Sequence, residues 1–173
     1  MTPPTDERRP EDLPSQSLGK RRDTPFTYAP ELLEAIPRTA RTEGPELDRW
    51  VTLACLRFTA LCPVTGQPDW AALTINYIPA DHLIESKSLK EYLGSFRMHG
   101  GFHEDVCELI VADLVACIAP RYCELVGRFD SRGSIAIWPF VQHARADDPA
   151  AQELLATRRA AYAPGRYDAG DAC

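Results

Sequence analysis

A chain of 173 residues supports one compact domain with a tail, and its 45% hydrophobic share is ordinary for a globular protein. The formal net charge of −6 argues against a general nucleic-acid or membrane surface, and no segment approaches the roughly 20 apolar residues of a membrane helix. The first residues are charged and proline-rich where a secretory signal needs an apolar run, so the sequence predicts a cytoplasmic protein.

The N-terminal part of the chain, residues 1–45, combines many prolines with scattered charges. This composition predicts an extended, partly disordered arm that docks only at its apolar residues. The candidate anchors are Phe26, Tyr28, Leu32 and Leu33. The folded domain is expected at 46–145, followed by a C-terminal helix and a frayed tail at 146–173.

The domain is predicted to contain two hairpins around a helix pair. Strands are expected at 49–61, 70–78, 122–129 and 134–141, and helices at 88–96, 103–118 and 147–162. On the first strand, the even-numbered residues from Trp50 to Ala60 are expected to share the apolar face. The order ββααββ predicts an α+β fold, a four-stranded antiparallel sheet with the helix pair on one face. Its open outer strands favour an oligomeric barrel over a monomer.

Six cysteines form no CxxC pair, so in a reducing compartment most of them are expected to be small buried hydrophobes. Cys55 and Cys117 fit that interpretation. Cys62 does not, because it stands where a strand enters the turn-rich loop 62–69, CPVTGQPD. A thiolate there would attack an electrophilic carbon, and Asp69 would accept the thiol proton and return a proton to nitrogen. The alternative is a buried strand-end cysteine beside a turn-forming aspartate.

His103 and Glu104 follow Gly100 and Gly101 at the start of the second predicted helix. An acidic residue in the first turn stabilises a helix by roughly 0.3–1 kcal/mol, which is one sufficient reason for Glu104. The functional alternative is that Glu104 accepts N–H donors from a nitrogenous base, while His103 supplies a second hydrogen bond or a proton. The spacing leaves both interpretations open.

A zinc site is a further interpretation of this region, because His99, His103 and Cys107 follow one another at steps of four. The two glycines between the histidines are expected to interrupt the helix. The three side chains would then not share one face, and the sequence predicts no metal.

The segment 85–92, ESKSLKEY, places Lys87 and Lys90 at the start of a predicted helix, where cations oppose the helix dipole. With free backbone N–H groups, these lysines would suit a phosphorylated ligand. The alternative is an ordinary solvated helix face. The chain has no GxGxxG or P-loop segment, so a dinucleotide would bind outside a Rossmann unit.

Taken in order, CPVTGQPD, ESKSLKEY and the run SFRMHGGFHED at 95–105 resemble the short, single-domain (QueF-type) 7-cyano-7-deazaguanine reductases of queuosine biosynthesis. The likeness extends over roughly residues 50–142. It implies a tunnelling (T-)fold whose subunits form a ring-shaped homo-oligomer of two stacked pentamers, with active sites between neighbours. It also implies a small-molecule deazapurine substrate, NADPH as the cofactor, and no nucleic-acid or membrane partner.

The resemblance also implies roles for individual residues. Cys62 would attack the nitrile carbon to give a covalent thioimide, and Asp69 would protonate the nitrogen. The matched substrate-binding residues are His103, Glu104, Ile84, Glu85 and Ser86. The matched residues on the cofactor side are Lys87, Lys90 and Arg132.

Three positions depart from the pattern of that family. Met98 stands where relatives usually carry asparagine, and Ser134 stands where an Arg-Gly-Gly turn has its second glycine. Val106 occupies the place of a cysteine that can form a protective disulfide with the nucleophile, and Cys107 comes one residue later. That step turns the side chain by about 100° around a helix, so the disulfide is not expected here.

Other functions remain open from the sequence. An amidine-forming transferase on the same fold would use the same thioimide and add ammonia, but relatives of that kind lack the lysine segment 85–92. A zinc cyclohydrolase of the pterin type and a non-catalytic purine-binding module are the remaining alternatives.

Overall fold

A computed structural model describes residues 26–38 and 49–162 of the chain. The strands are β1 (Ala35–Pro37), β2 (Val51–Leu61), β3 (Pro68–Ile78), β4 (His82–Ile84), β5 (Tyr122–Phe129) and β6 (Phe140–Ala144). The helices are α1 (Ser86–Ser95), α2 (His103–Ile118) and α3 (Pro149–Ala161). Short 3-10 turns occupy Pro30–Leu32 and Phe96–Met98.

Much of the predicted arm, at 1–25 and 39–48, lies outside the described residues, and so does the tail from 163 onward. The predicted domain boundaries at 45 and 145 therefore stay predictions. In the part of the chain that is described, no helix is long and apolar enough to cross a membrane.

The main sheet is antiparallel and has the strand order β2-β3-β5-β6. Helices α1 and α2 come between β3 and β5 in the chain, so the predicted order ββααββ and the α+β class are confirmed. Within the described residues β2 pairs with β3 and, at Leu61 alone, with Gly100, while β6 pairs only with β5, so most of each outer strand has an unpaired edge. A small second sheet of β1 and β4, which the sequence did not predict, lies beside the main one.

The helix pair covers one face of the main sheet, because alternate strand residues point to the same side. The buried residues of β3 and β5 on that side pack with α1 and α2: Leu73, Ile75, Tyr77, Cys123, Leu125 and Phe129. Cys107 of α2 lies so close to Gly127 that a Cβ atom at position 127 would stand 2.6 Å from its sulfur. Glycine at 127 is therefore required for α2 to approach the sheet.

The first long strand changes its buried face halfway along. The pairing of β2 with β3 shifts between Cys55 and Phe58, which gives β2 a β-bulge. Before the bulge the odd-numbered residues pack against the core, and after it Phe58 and Ala60 do. The prediction of one even-numbered apolar face is therefore wrong for the first half, where Trp50 is 44% exposed and Leu56 is 66% exposed.

On the opposite face of the sheet, a buried carboxylate ties α3 to β5. Glu124 accepts hydrogen bonds from the Tyr122 hydroxyl at 2.6 Å and from the Asn76 amide at 2.8 Å. Arg158 of α3 adds a two-pronged ion pair with nitrogen–oxygen distances of 3.0 and 2.5 Å. Burial alone would raise the pKa of Glu124, but these donors outweigh it and lower the pKa.

The described part of the arm lies against α1 and α2. The Tyr28 hydroxyl donates to the Asp113 carboxylate at 2.8 Å, and Tyr92 donates to the same carboxylate at 2.5 Å. Three of the four predicted anchors, Tyr28, Leu32 and Leu33, pack against the core. The fourth, Phe26, is half exposed.

The last predicted strand, 134–141, is wrong for all but its last two residues, because β6 begins only at Phe140. Gly133 and Ser134 have φ angles of +55° and +74°, and the residues flanking them exchange two backbone hydrogen bonds of 3.0 Å. This tight turn takes the chain out of the extended conformation that a strand needs. The other predicted strands and helices are present within two residues of their expected ends.

Helix α2 ends at a residue in the left-handed conformation. Ala119 has φ 42° and ψ 56°, and its N–H donates to the carbonyl of Val115. A side chain in this conformation costs roughly 1–2 kcal/mol, which glycine avoids at the expense of a more flexible unfolded chain.

We therefore predict that Ala119→Gly stabilises the protein by about 0.5–1 kcal/mol, measured by urea unfolding at a fixed protein concentration. The matched control is Ala112→Gly, at an exposed position within α2, which should lose about 1 kcal/mol. A similar loss in both variants would contradict the role assigned to the helix end.

Candidate active site

The loop between β2 and β3 is closed by backbone hydrogen bonds around Cys62. The Cys62 N–H donates to the carbonyl of Gln67 at 2.8 Å, and the Cys62 carbonyl accepts from Gly66 at 2.9 Å. Gly66 has a φ of +67°, which favours glycine at this turn. The cysteine is thereby held at the end of β2 with 5% of its surface exposed.

The same loop supplies hydrogen-bond donors to the sulfur. The Thr65 hydroxyl, the N–H groups of Thr65 and Val64, and the Arg132 side chain lower the pKa of Cys62 from 9.0 to about 7, although burial opposes them. Burial instead raises the pKa of Cys55, and it raises that of Cys107 to about 12. Cys62 is therefore the cysteine best prepared to react among those in the described residues.

A carboxylate, a guanidinium and an imidazole meet beside this thiol. Asp69, near the start of β3, is buried with 4% of its surface exposed. Arg132 Nε donates to Asp69 Oδ1 at 2.6 Å, and Arg132 Nη2 donates to Oδ2. His103 Nε2 lies 3.3 Å from Asp69 Oδ2 and 3.0 Å from Arg132 Nη2.

The register of the hairpin explains why the thiol and the carboxylate are neighbours. Leu61 lies opposite Pro68, so the residues that follow them, Cys62 and Asp69, stand at the same end of the sheet. Asp69 contacts Arg132, which comes from the turn after β5, and the same guanidinium helps to lower the pKa of Cys62. The sequence predicted that Cys62 and Asp69 lie close together. The family resemblance assigned Arg132 to the cofactor side.

His103 begins α2 and stacks face to face on Phe129, with ring centroids 3.9 Å apart. Nε2 lies between the Arg132 guanidinium, which only donates, and the Asp69 carboxylate oxygen, which accepts. Among the described residues, Nδ1 is the one buried side-chain nitrogen or oxygen without a hydrogen-bond partner. A polar group buried in this way costs roughly 1–3 kcal/mol, so Nδ1 is suited to bond a ligand.

The other predicted site residues are distributed differently. Glu104 is exposed beside His103 in the first turn of α2. The Ile84 N–H contacts the Tyr77 hydroxyl at 3.4 Å, at the opposite end of β3 from Asp69. At about 3.3 Å per strand residue, the two ends stand roughly 25 Å apart. A single chain therefore does not bring the following residues to Cys62: Ile84, Glu85, Ser86 and Lys87.

Glu85 has a structural role at the start of α1. Its carboxylate accepts hydrogen bonds from the N–H groups of Lys87 at 2.9 Å and Ser88 at 2.6 Å, which lower the pKa of Glu85. The expectation of free backbone donors at this helix start is therefore wrong for these two groups. An anion bound here would rely on the side chains of Lys87 and Lys90, which are both exposed.

A groove of about 360 Å³ separates β2 from α1. Two cations, Arg57 and Lys90, line it together with apolar side chains such as Leu53 and Leu93. A phosphorylated ligand at this groove would meet positive charge on both sides.

The three residues considered for zinc have separate surroundings. His99 packs against aromatic rings, His103 faces the Asp69 carboxylate, and Cys107 is buried under β5. Across residues 26–38 and 49–162, no three His, Cys, Asp or Glu side chains form a group that could hold a metal ion.

Two residues of the site were not singled out from the sequence. Thr65 makes the largest contribution to the low pKa of Cys62, and Phe129 supports the His103 ring. A hydroxyl three residues after a cysteine, in a glycine-containing turn, was an available signal for Thr65. Nothing local to Phe129 distinguishes it from an ordinary buried strand residue.

Comparison with known proteins agrees with this geometry. The family model described as QueF-like protein matches residues 68–148. A protein of Bdellovibrio bacteriovorus named NADPH-dependent 7-cyano-7-deazaguanine reductase is 47% identical over 92% of this chain and 92% of its own. A protein of the same name from Helicobacter pylori is 49% identical over 77% of this chain and 87% of its own.

A solved structure shares the fold. The apo form of the archaeosine synthase QueF-Like superposes with a TM-score of 0.52 at 18% identity, covering 60% of this chain and 99% of that one. Fold and site thus define an α+β protein whose central hairpin carries an activated thiol. By its close relatives, the chain belongs to the QueF family of NADPH-dependent 7-cyano-7-deazaguanine reductases.

The hydrogen bond from Thr65 gives a direct test of the thiol. We predict that Thr65→Val raises the pKa of Cys62, which leaves less thiolate at neutral pH and slows alkylation by iodoacetamide at pH 7 by roughly fivefold. The rate should recover above pH 9, where the thiol ionises in both proteins.

The site of alkylation is identified by peptide mapping, with Cys62→Ser as the blank. Thr157→Val, on the exposed side of α3, is the matched control and should keep the wild-type profile. Identical pH profiles for Thr65→Val and wild type would contradict the assigned hydrogen bond.

Proposed function

We propose that this protein reduces the nitrile of 7-cyano-7-deazaguanine to the primary amine of 7-aminomethyl-7-deazaguanine, with NADPH as reductant, in queuosine biosynthesis. The observation that carries the proposal is the cluster of an acidified Cys62 thiol beside the buried Asp69 carboxylate. Membership of the reductase family supports the substrate and the cofactor. The free thiols of the described residues fit the reducing cytoplasm in which we place the enzyme.

The first step is covalent capture of the nitrile. The Cys62 sulfur forms a bond to the nitrile carbon, and the carbon–nitrogen triple bond becomes a double bond. The thiol proton passes to Asp69 and from there to the nitrogen, so the product is a neutral thioimide. Covalent capture replaces one difficult reduction of a weak electrophile by a series of easier steps.

Reduction then returns the thiol to its starting state. NADPH supplies one hydride in each of two rounds, and each round also consumes one proton. In the first round the bond between carbon and the Cys62 sulfur breaks and leaves an imine. Asp69, held next to the reacting nitrogen, delivers the protons that the developing amine takes up.

The residues around Cys62 suit a guanine-like ring. The unpaired His103 Nδ1 is available for a hydrogen bond to the ring, and the adjacent Glu104 carboxylate would accept the ring's N–H donors. A base that lacked those donors would leave the carboxylate unpaired, which discriminates strongly against it. We assign Ile84, Glu85 and Ser86 to the pocket wall, with the Glu85 carboxylate retained as the helix cap.

The chain also carries residues that fit the phosphates of NADPH. Lys87 and Lys90 are exposed at the start of α1, and Arg57 lines the same groove as Lys90. These three cations would bind phosphate groups through their side chains, because the first backbone donors of α1 are bonded to Glu85.

The separation of the two groups of residues supports an oligomeric active site. Cys62 and the segment 84–87 lie at opposite ends of β3, roughly 25 Å apart in one chain. In the described residues both edges of the main sheet are unpaired, apart from the bridge at Leu61, so a neighbour can add its sheet to each. We propose a tunnelling fold whose sheets join into a ring-shaped barrel, with each site completed by the next subunit.

Intact-mass measurement of the protein mixed with the nitrile, without NADPH, tests the chemistry. We expect wild type to gain the mass of one substrate molecule per chain, because the thioimide cannot proceed without reductant. Cys62→Ser should gain none. Cys117→Ser, which removes a half-buried thiol of α2, is the matched control and should behave as wild type. An adduct that persists in Cys62→Ser would rule out this nucleophile.

Mixing two inactive variants tests the shared site. Cys62→Ala lacks the nucleophile, and the double variant Lys87→Ala/Lys90→Ala lacks the proposed cofactor contacts. If each site combines residues of two neighbours, random mixed oligomers should regain NADPH oxidation at about a quarter of their sites.

Each variant assayed alone, and the two combined without subunit exchange, provide the baseline. Mixed oligomers are verified by native mass spectrometry with one variant carrying a mass tag. No recovery in verified mixed oligomers would mean that one chain supplies the whole site.

A further inference from the structure

We propose that Arg132 is a positioning residue for the Cys62–Asp69 pair and not a docking cation for the cofactor. The inference rests on the proposed nitrile chemistry and assigns a role within it. Three side chains of the site interact with this one guanidinium: it contacts Asp69 and His103, and it helps to lower the pKa of Cys62.

The contact with Asp69 is the strongest of the three. Arg132 reaches both carboxylate oxygens, one from Nε and one from Nη2, which is the two-pronged geometry that guanidinium and carboxylate favour. Asp69 is 4% exposed, and a buried carboxylate without a partner cation is strongly destabilising. Arg132 is therefore the counter-charge that allows a carboxylate to be kept beside the thiol.

The polar groups that meet at Arg132 come from three elements. Asp69 approaches from β3, His103 from α2 and Arg132 from the turn after β5. When the thiol proton moves to Asp69, the carboxylate loses its negative charge as the sulfur gains one. Arg132 pairs with the carboxylate and helps to lower the pKa of Cys62, so we assign it as the counter-charge for whichever of the two groups is anionic. The proton can then move without leaving a negative charge unpaired.

The turn that delivers Arg132 is built to hold it in place. Arg132 and Ile135 exchange two backbone hydrogen bonds of 3.0 Å, and Gly133 and Ser134 between them adopt positive φ angles. Ser134 keeps this conformation although it is not glycine.

The test compares Arg132→Gln and Arg132→Lys with wild type in three assays. These are the rate of adduct formation with the nitrile, the pH profile of Cys62 alkylation by iodoacetamide, and the dissociation constant for NADPH by fluorescence. We expect Arg132→Gln to slow adduct formation by about tenfold or more and to shift the alkylation profile to higher pH. NADPH affinity should change by less than about twofold.

Arg132→Lys keeps the positive charge but loses the two-pronged contact with the carboxylate. Its rate of adduct formation should therefore fall between those of wild type and Arg132→Gln. Arg159→Gln, an exposed residue of α3, is the control for net charge and should match wild type in all three assays. Lys87→Gln should weaken NADPH binding, which verifies that the fluorescence assay detects a phosphate contact.

Weaker NADPH binding by Arg132→Gln, with adduct formation at the wild-type rate, would overturn the inference. If wild type itself forms no adduct, the proposed function fails, and the iodoacetamide profile still decides the role of Arg132. An unchanged profile in both Arg132 variants, with native circular dichroism, would then reject it.

Discussion

The antiparallel register of β2 and β3 is the constraint on which the site depends. With Leu61 opposite Pro68, the loop between them closes as a tight turn, and the thiol and the carboxylate stand at one end of the sheet. A slip of one residue would reverse every side chain of β3 and turn Asp69 to the other face. The bulge in β2 serves the same register, because it allows residues on both of its sides to pack against one core.

Local patterns were enough to predict most of the fold. Helix α2 begins and ends at the predicted residues, because a helical apolar repeat fills 103–118 between a double glycine and Pro120. The prediction of a strand at 134–141 failed over most of its length because these β-favouring residues begin within a tight turn, where Ser134 has a conformation that serine seldom adopts. The prediction of a single apolar face for β2 failed because a β-bulge depends on the pairing with the partner strand. Alternation of residues within one strand does not reveal such a bulge.

The residues of the site also divide into those that local sequence predicts and those that only the packing of the fold brings together. Cys62 and Asp69 share one loop, so their proximity could be inferred from spacing. Arg132 is 63 residues from Asp69 in the sequence, and only the packing of β5 against β3 brings its turn to the hairpin. Glu85 shows a different limit, since the free N–H groups expected at this helix start are bonded to its carboxylate, which caps α1.

The burial of Cys107 beneath Gly127 bears on how this protein meets oxidants. An acidified, reachable thiol such as Cys62 is the type that peroxide converts to a sulfenic acid, and a nearby second thiol usually rescues it by forming a disulfide. Cys107 is fully enclosed between helix and sheet, and burial raises its pKa to about 12, so it is poorly prepared for that duty. Repair of an oxidised Cys62 would then fall to small thiols of the cell, at a rate set by how readily they enter the substrate pocket.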